Sequence, residues 1–131
     1  MGYEKYDIIY GELPAKDGSV QAGKRPAIVI QNNIGNKHSP TALVIPLTRH
    51  LKNRWLPTHT VIEKNNENKL ESDSMALAEQ TTPVNIRKFV KWGRISDRAT
   101  QKRIFRCYIY AAAYGEDDPD FLEIEKLCER G

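Results

Sequence analysis

An arginine held where a loop enters a strand offers phosphate or carboxylate a rigid fork of five donors, charged at any working pH. Arg25 has such a place. Residues 21–33 read Q-A-G-K-R-P-A-I-V-I-Q-N-N, a charged, glycine-interrupted loop that passes directly into a short apolar run. Ala27 to Ile30 suit a strand buried on both faces, and Asn32-Asn33 supply turn formers after it. Pro26 lacks a backbone donor and biases Arg25 toward extended geometry, so the guanidinium is expected at a strand entrance and not on a helix. The alternative is a solvated surface arginine, the usual station of that residue type. Lys16 and Lys24 lie in the same loop, and a second basic loop, Arg49 to Pro57, contains Trp55.

The elements that must carry these loops are short strands. Tyr6 to Tyr10 is a β-rich run, broken by Gly11-Glu12-Leu13-Pro14, and Ala15 to Lys24 forms a long polar loop of the kind that is more often functional than idle. Strand two spans Ala27 to Gln31. A polar turn over Asn33 to Pro40 leads to a third strand, Ala42-Leu43-Val44-Ile45 with Leu47, which ends on Thr48; Pro46 marks it as an edge or bulged position. Thr58 to Glu63 reads as a short strand, Lys64 to Asp73 as a plain polar connector, and Ser74 to Glu79 as another strand ending in the pair Glu79-Gln80. Thr82-Pro83-Val84 reads as a turn and Phe89 to Ile95 as the final strand.

Ser96 or Asp97 then caps a helix from about Arg98 to Tyr114, with Ile104, Tyr108 and Ala111 or Ala112 on one stripe, and Gly115 terminates it. Asp118-Pro119 opens a last helix whose apolar face is Phe121, Ile124, Leu127 and Cys128 and whose other face is acidic. Many strands followed by helices, without alternation, predict a mainly β (α+β) fold: a strongly curved sheet or small barrel covered by C-terminal helices.

The 131 residues suffice for one domain with its own core, and the net charge of +3 is modest but unevenly spread. Pro83 to Arg106 holds 8 basic residues and 1 acidic one; Cys107 to Gly131 holds 2 and 7. A cationic segment beside an acidic tail attracts phosphates, pairs internally or recruits an acidic partner. Cys107 and Cys128 stand far apart without a CxxC or Cys/His cluster, so no metal site is expected. They read as small buried side chains, with an interhelical disulfide as the other possibility. No signal peptide or apolar run approaching about 18 residues is visible, and a cytoplasmic protein is expected.

The ordered set Gly11-Glu12-Leu13, Gly18-Ser19, Gln21-Ala22-Gly23-Lys24-Arg25-Pro26-Ala27, Ile30-Gln31-Asn32, Ser39-Pro40-Thr41, Pro46-Leu47-Thr48, Leu56-Pro57-Thr58-His59 and Asp73-Ser74 with Leu77, Glu79 and Gln80 resembles the MazF/PemK toxins of bacterial toxin–antitoxin pairs. Each fragment alone is weak; their order is specific. Beyond about Arg98 the likeness fades to a helix in the expected place, and the acidic segment from Glu116 onward looks like an addition. The resemblance implies an SH3-like barrel, a symmetric homodimer, and metal-independent endoribonuclease activity on single-stranded RNA at a short specific sequence, without a cofactor. It also implies a cognate antitoxin whose flexible acidic segment occupies the RNA groove. By this analogy Arg25 and Thr48 carry over as the catalytic pair. The chain departs from the pattern at Ser19-Val20-Gln21, where many members carry a Glu, and Val20 cannot move a proton.

Metal-free RNA cleavage uses the substrate's own 2′-hydroxyl as nucleophile, which spares DNA. Arg25 suits stabilisation of the phosphorane, and Thr48 can donate to a phosphate oxygen, but neither is a base at neutral pH. Glu79 is the first candidate for that role, with a salt bridge to Arg25 or another cation as its competing reading. His59, where a strand begins, is a further candidate by residue type, while His38 and His50 lie in polar loops and read as solvated. RNA binding falls to Lys16, Gln21, Lys24, Arg49, Lys52, Arg54 and Gln80, with Trp55 as a stacking platform or else a cap on the core or dimer interface. The competing functions are a gyrase-poisoning toxin of the same fold and an RNA-binding relative without turnover. The Arg-Pro and Pro-Leu-Thr signatures, with no terminal Trp-Gly-Ile, favour the nuclease.

Overall fold

The apolar β-branched runs become the centre of one antiparallel sheet. The structure, a computed structural model, describes residues 2–14 and 23–130, the last three by backbone alone. Its strands are β1 (Asp7–Leu13), β2 (Gly23–Val29), β3 (Thr41–Thr48), β4 (His59–Ile62), β5 (Ser74–Leu77), β6 (Thr82–Asn85) and β7 (Phe89–Arg94). They lie in the order β4-β5-β3-β2-β1-β7, with β6 also paired to β3. Three helices, α1 (Asn33–His38), α2 (Arg98–Ala112) and α3 (Pro119–Arg130), complete a mainly β, α+β architecture.

Side chains alternate across the central strands, so each strand feeds two apolar layers. Ile9, Ala27, Val29, Val44 and Val84 fill one, with Phe89 against its edge. Ile8, Ile28, Ile45, Leu47 and Ala76 fill the other, which Ile104 and Cys107 of α2 close. Burial on both faces explains why Ala27 to Ile30 carry no polar alternation. Cys107 is a free, buried thiol, pushed up to about 11 by burial, as befits a core residue; the side chain of Cys128 lies outside what is described.

Several local expectations are corrected. Gly11 does not break β1: a Cβ there would lie 2.6 Å from the Phe89 ring, so the glycine lets β7 approach. Asn33 to His38 is a helix, because Asn32 Oδ1 accepts the Gly35 N–H at 2.8 Å and buried Asn36 donates to the Gln31 carbonyl at 3.0 Å. The strand expected over Ser74 to Glu79 ends at Leu77, and Ala78–Gln80 winds into a 3₁₀ turn. Thr82-Pro83-Val84 is strand, not turn; β6 pairs only with β3, and an edge tolerates a proline.

Residues 64–73 are no plain connector. Asn65 and Asn68 exchange side-chain-to-backbone hydrogen bonds, and Asn68 is buried. Trp92 Nε1 donates to the Lys69 carbonyl at 2.7 Å, and the Arg94 N–H donates to the Glu67 carbonyl at 3.0 Å, docking the segment on β7.

Pro46 sits within a central strand, where β3 leaves β6 and takes up β5, a local gap in pairing rather than a sheet edge. Ala111 and Ala112 are exposed, and Cys107 joins Ile104 in the buried stripe of α2. α3 packs back through Phe121, whose ring centroid lies 4.9 Å from Tyr114 and 5.6 Å from Tyr110, while Leu127 stays 65% exposed.

Asp97 caps α2, accepting the Thr100 N–H at 2.9 Å and the Thr100 hydroxyl at 2.5 Å. Those bonds hold its carboxyl below the usual aspartate value of 3.8. Asp97→Ala is expected to cost about 1 kcal/mol in chemical denaturation. Because the folded state favours the ionised form, that increment is present above the ordinary value and fades as the pH falls through the depressed one. A variant whose deficit is unchanged well below that range would show that the cap is not its source.

Candidate active site

Arg25 and Thr48 meet because of strand register. β2 and β3 pair Ala27 with Pro46 and Ile28 with Ile45, and the same register continued toward the sheet end sets Arg25 across from Thr48. One cleft of about 180 Å³ is lined by both residues. That volume is well below the roughly 300–1,000 Å³ of pockets that enclose a drug-sized ligand, so it suits a backbone group better than a whole base.

The other walls come from three segments. Tyr10 of β1 and Trp92 of β7 stand with ring centroids 5.2 Å apart, Lys24, Arg49 and His50 flank the pair, and Leu70, Glu71 and Ser72 close the far side. Thr48 is 3% exposed, and its Oγ1 accepts the His50 N–H at 3.1 Å, which leaves its own hydrogen free to donate. Arg25 Nε is buried without a hydrogen-bond partner. Burial and the nearby Arg49 charge both lower the Arg25 pKa from the usual arginine value. An always-charged group pressed by a like charge and lacking a partner is satisfied by an incoming anion.

The residues expected at the site separate in space. Lys24 and Arg49 line the cleft with Arg25 and Thr48. Glu79 does not line it: its carboxylate sits 2.9 Å from Nε2 of His59, whose Nδ1 is 2.9 Å from the Asn53 carbonyl. This is the competing reading of Glu79, a structural partner, with His59 in place of Arg25. The contact ties the Arg49 to Pro57 loop to the turn after β5. Lys52, Arg54 and Trp55 ride on that loop outside the cleft, Trp55 78% exposed and therefore not capping the core. Gln80 Oε1 is buried without a partner on the same turn as Glu79. Lys16, Gln21 and Val20 lie outside the described residues.

Sequence reasoning did not single out Glu71 or Ser72, and it read His50 as solvated; His50 is exposed and also lines the cleft. His50 was legible from its place two residues after Thr48. Ser72 and Glu71 were not, because only the docking of residues 64–73 on β7 brings them near Arg25.

Among the described residues no group of three or more His, Cys, Asp and Glu side chains is placed to hold a metal ion, and no helix is long and apolar enough to cross a membrane.

Residues 4–106 match the family model described as PemK-like, MazF-like toxin of type II toxin–antitoxin system. The Endoribonuclease MazF of Staphylococcus saprophyticus is 43% identical over 74 residues, which cover 56% of this chain. The match spans 61% of that relative's length. MazF from Deinococcus radiodurans superposes with a TM-score of 0.70 at 14% identity, covering 84% of this chain and 96% of that one. A mycobacterial endoribonuclease solved in complex with its cognate antitoxin gives 0.65 at 17% identity, with 85% and 95% covered. At such identities the two structures speak for the fold alone. The family model extends from the first strand into α2, and with it the chain belongs to the PemK-like, MazF-like toxin family of type II toxin–antitoxin systems.

Proposed function

We propose that this chain is a toxin acting as a metal-independent endoribonuclease, cleaving single-stranded RNA at a short specific sequence. The observation that carries the reading is the shared cleft of Arg25 and Thr48, with the Arg25 Nε buried and unpartnered inside it. In the reaction the substrate 2′-oxygen forms a bond to phosphorus while the bond from phosphorus to the 5′-oxygen breaks. The products are a 2′,3′-cyclic phosphate and a 5′-hydroxyl. Arg25 neutralises the charge that accumulates on the non-bridging oxygens, and Thr48 donates its free hydrogen to the same group. The substrate supplies the nucleophile, so no bound water has to be activated.

Proton transfer then needs a group inside the cleft. Glu79 is engaged with His59 elsewhere, and Glu71, although it lines the cleft, faces the Arg49 guanidinium at 3.9 Å. We assign the proton from the 2′-hydroxyl to His50, an exposed imidazole on the cleft wall two residues after Thr48, because an imidazole can act as both general base and general acid. Glu79 and His59 instead hold the basic loop that carries Lys52, Arg54 and Trp55 along the path of the strand. The same cations, Lys24, Arg25 and Arg49, would receive an acidic segment of a cognate antitoxin, and the chain would work as a homodimer with RNA as substrate.

The test is incubation of the purified chain with a long defined RNA in excess EDTA, followed by mapping of the cut sites and product ends. Cleavage is expected to persist and to leave cyclic phosphates, and a single 2′-deoxy substitution at a mapped site should block that cut alone. A requirement for added metal, or cleavage of the 2′-deoxy site, would overturn the mechanism.

A further inference from the structure

Ser72 stands out among the cleft residues because its Oγ is buried and has no hydrogen-bond partner. An unmatched buried hydroxyl is costly, so a native site that keeps one invites a ligand. Its position is not accidental to a loose loop. Ser74 Oγ donates to the Ser72 carbonyl at 2.9 Å, and Asp73 Oδ1 accepts the Lys64 N–H at 3.0 Å, which fixes the backbone on both sides of the Ser72 side chain. Upstream, Asn68 Oδ1 accepts the Leu70 N–H at 3.0 Å. Trp92, itself a wall of the cleft, clamps the Lys69 carbonyl.

Two unpartnered buried polar groups therefore share one small cleft, Ser72 Oγ and Arg25 Nε, beside the Thr48 hydroxyl with its free hydrogen. All three are donors. Glu71, the adjacent carboxylate, is turned to the solvent-exposed rim with Arg49. A ligand that accepts several hydrogen bonds at one centre and carries negative charge is a phosphoryl group. We propose that Ser72 is a third substrate-contacting residue, donating its hydroxyl hydrogen to a non-bridging oxygen of the phosphate held by Arg25 and Thr48. The inference rests on the ribonuclease reading, and it adds a residue that reaches the site from the β4–β5 segment instead of from β2 or β3.

Ser72→Ala and Ser72→Thr, compared with the unaltered chain, test it by two readouts. The first is binding of an oligonucleotide carrying a mapped cut site made uncleavable by 2′-deoxy substitution. The second is kcat and KM for the all-ribose version. Ser72→Ala is expected to bind the uncleavable strand about fivefold more weakly and to lose about a hundredfold in kcat, as for one donor to a developing anion. Ser72→Thr, which keeps the hydroxyl, should recover most of both, and thermal denaturation of each variant verifies that it is folded. A folded Ser72→Ala protein that binds and cleaves like the unaltered chain overturns the assignment while leaving the ribonuclease reading intact. If the unaltered chain cleaves no RNA, the ribonuclease reading falls and no cut site can be mapped; binding of the long defined RNA by the unaltered chain and by Ser72→Ala then decides for or against a phosphate contact at Ser72.

Discussion

Arg25→Ala is expected to lower RNA cleavage by about a hundred- to a thousandfold while leaving the protein as stable as before or slightly more so. The two halves of that outcome come from one geometry. Among the described residues Arg25 forms no ion pair, its Nε lacks a partner, and Arg49 repels it, so the native state gains little from the guanidinium. Removing it relieves the repulsion from Arg49 and the cost of a partnerless Nε; activity is where the loss appears. A strained or unsatisfied group kept at a site of chemistry commonly trades stability for function. Cleavage of a defined oligoribonucleotide and a denaturant titration, run on the same preparation, read the two effects separately. Arg25→Lys should remain deficient, since a point charge cannot reproduce the planar fork. Retained cleavage by Arg25→Ala would remove this residue from the mechanism, and a large fall in stability would recast it as a structural cation.

How much of this site was legible in the chain follows from the range of the interactions that build it. Arg25 was visible because the signal is local: Pro26 and the apolar run fix its backbone within a few residues. Thr48 as a strand end was also visible, since Ala42 to Leu47 announce β3. What brings the two together is register, which depends on pairing between strands and is locked partly by Gln31. Its Oε1 accepts the Leu43 N–H at 3.3 Å, and its Nε2 donates to the Thr41 carbonyl at 3.1 Å. Those contacts and the Asn36 network also turn a polar stretch into α1, which has no apolar period to betray it.

Pro83 misled for the opposite reason. Its local signal reads as a turn, yet β6 is an edge that needs no donor there. Glu79 fell at the expected strand end, but the 3₁₀ turn after Leu77 carries it to His59. The segment 64–73 was the largest loss, because its polar composition conceals that it docks on β7, more than twenty residues downstream in sequence.

That docking makes Gly93 the described glycine at which an added Cβ would meet the closest backbone atom, so Gly93→Ala is expected to be strongly damaging. A Cβ at Gly93 would lie 2.3 Å from the Asn68 carbonyl oxygen, 2.6 Å from the carbonyl carbon and 2.8 Å from the Glu67 oxygen. All three are backbone atoms held by the Asn65 and Asn68 side-chain bonds, so no flexible end can swing aside. Either β7 or residues 64–73 must move, and the Arg94-to-Glu67 and Trp92-to-Lys69 hydrogen bonds span the joint between them. Overpacking of this kind costs about 1–3 kcal/mol, and each strained hydrogen bond adds about 1 kcal/mol, for a total of about 3–5 kcal/mol. In thermal denaturation that corresponds to a drop of about 10 °C or more.

The effect on function should exceed the effect on folding. At temperatures where Gly93→Ala is still native, Leu70 and Ser72 would be displaced from the cleft while Arg25 and Thr48 stay on their own strands. Amide exchange should therefore rise first across residues 65–72, ahead of β2 and β3, and kcat should fall with little change in the unfolded fraction. A Gly93→Ala protein that melts with the unaltered chain and exchanges no faster across residues 65–72 would show that the segment is not seated on β7 in this way, and with it would go the physical reason for Ser72 to face Arg25.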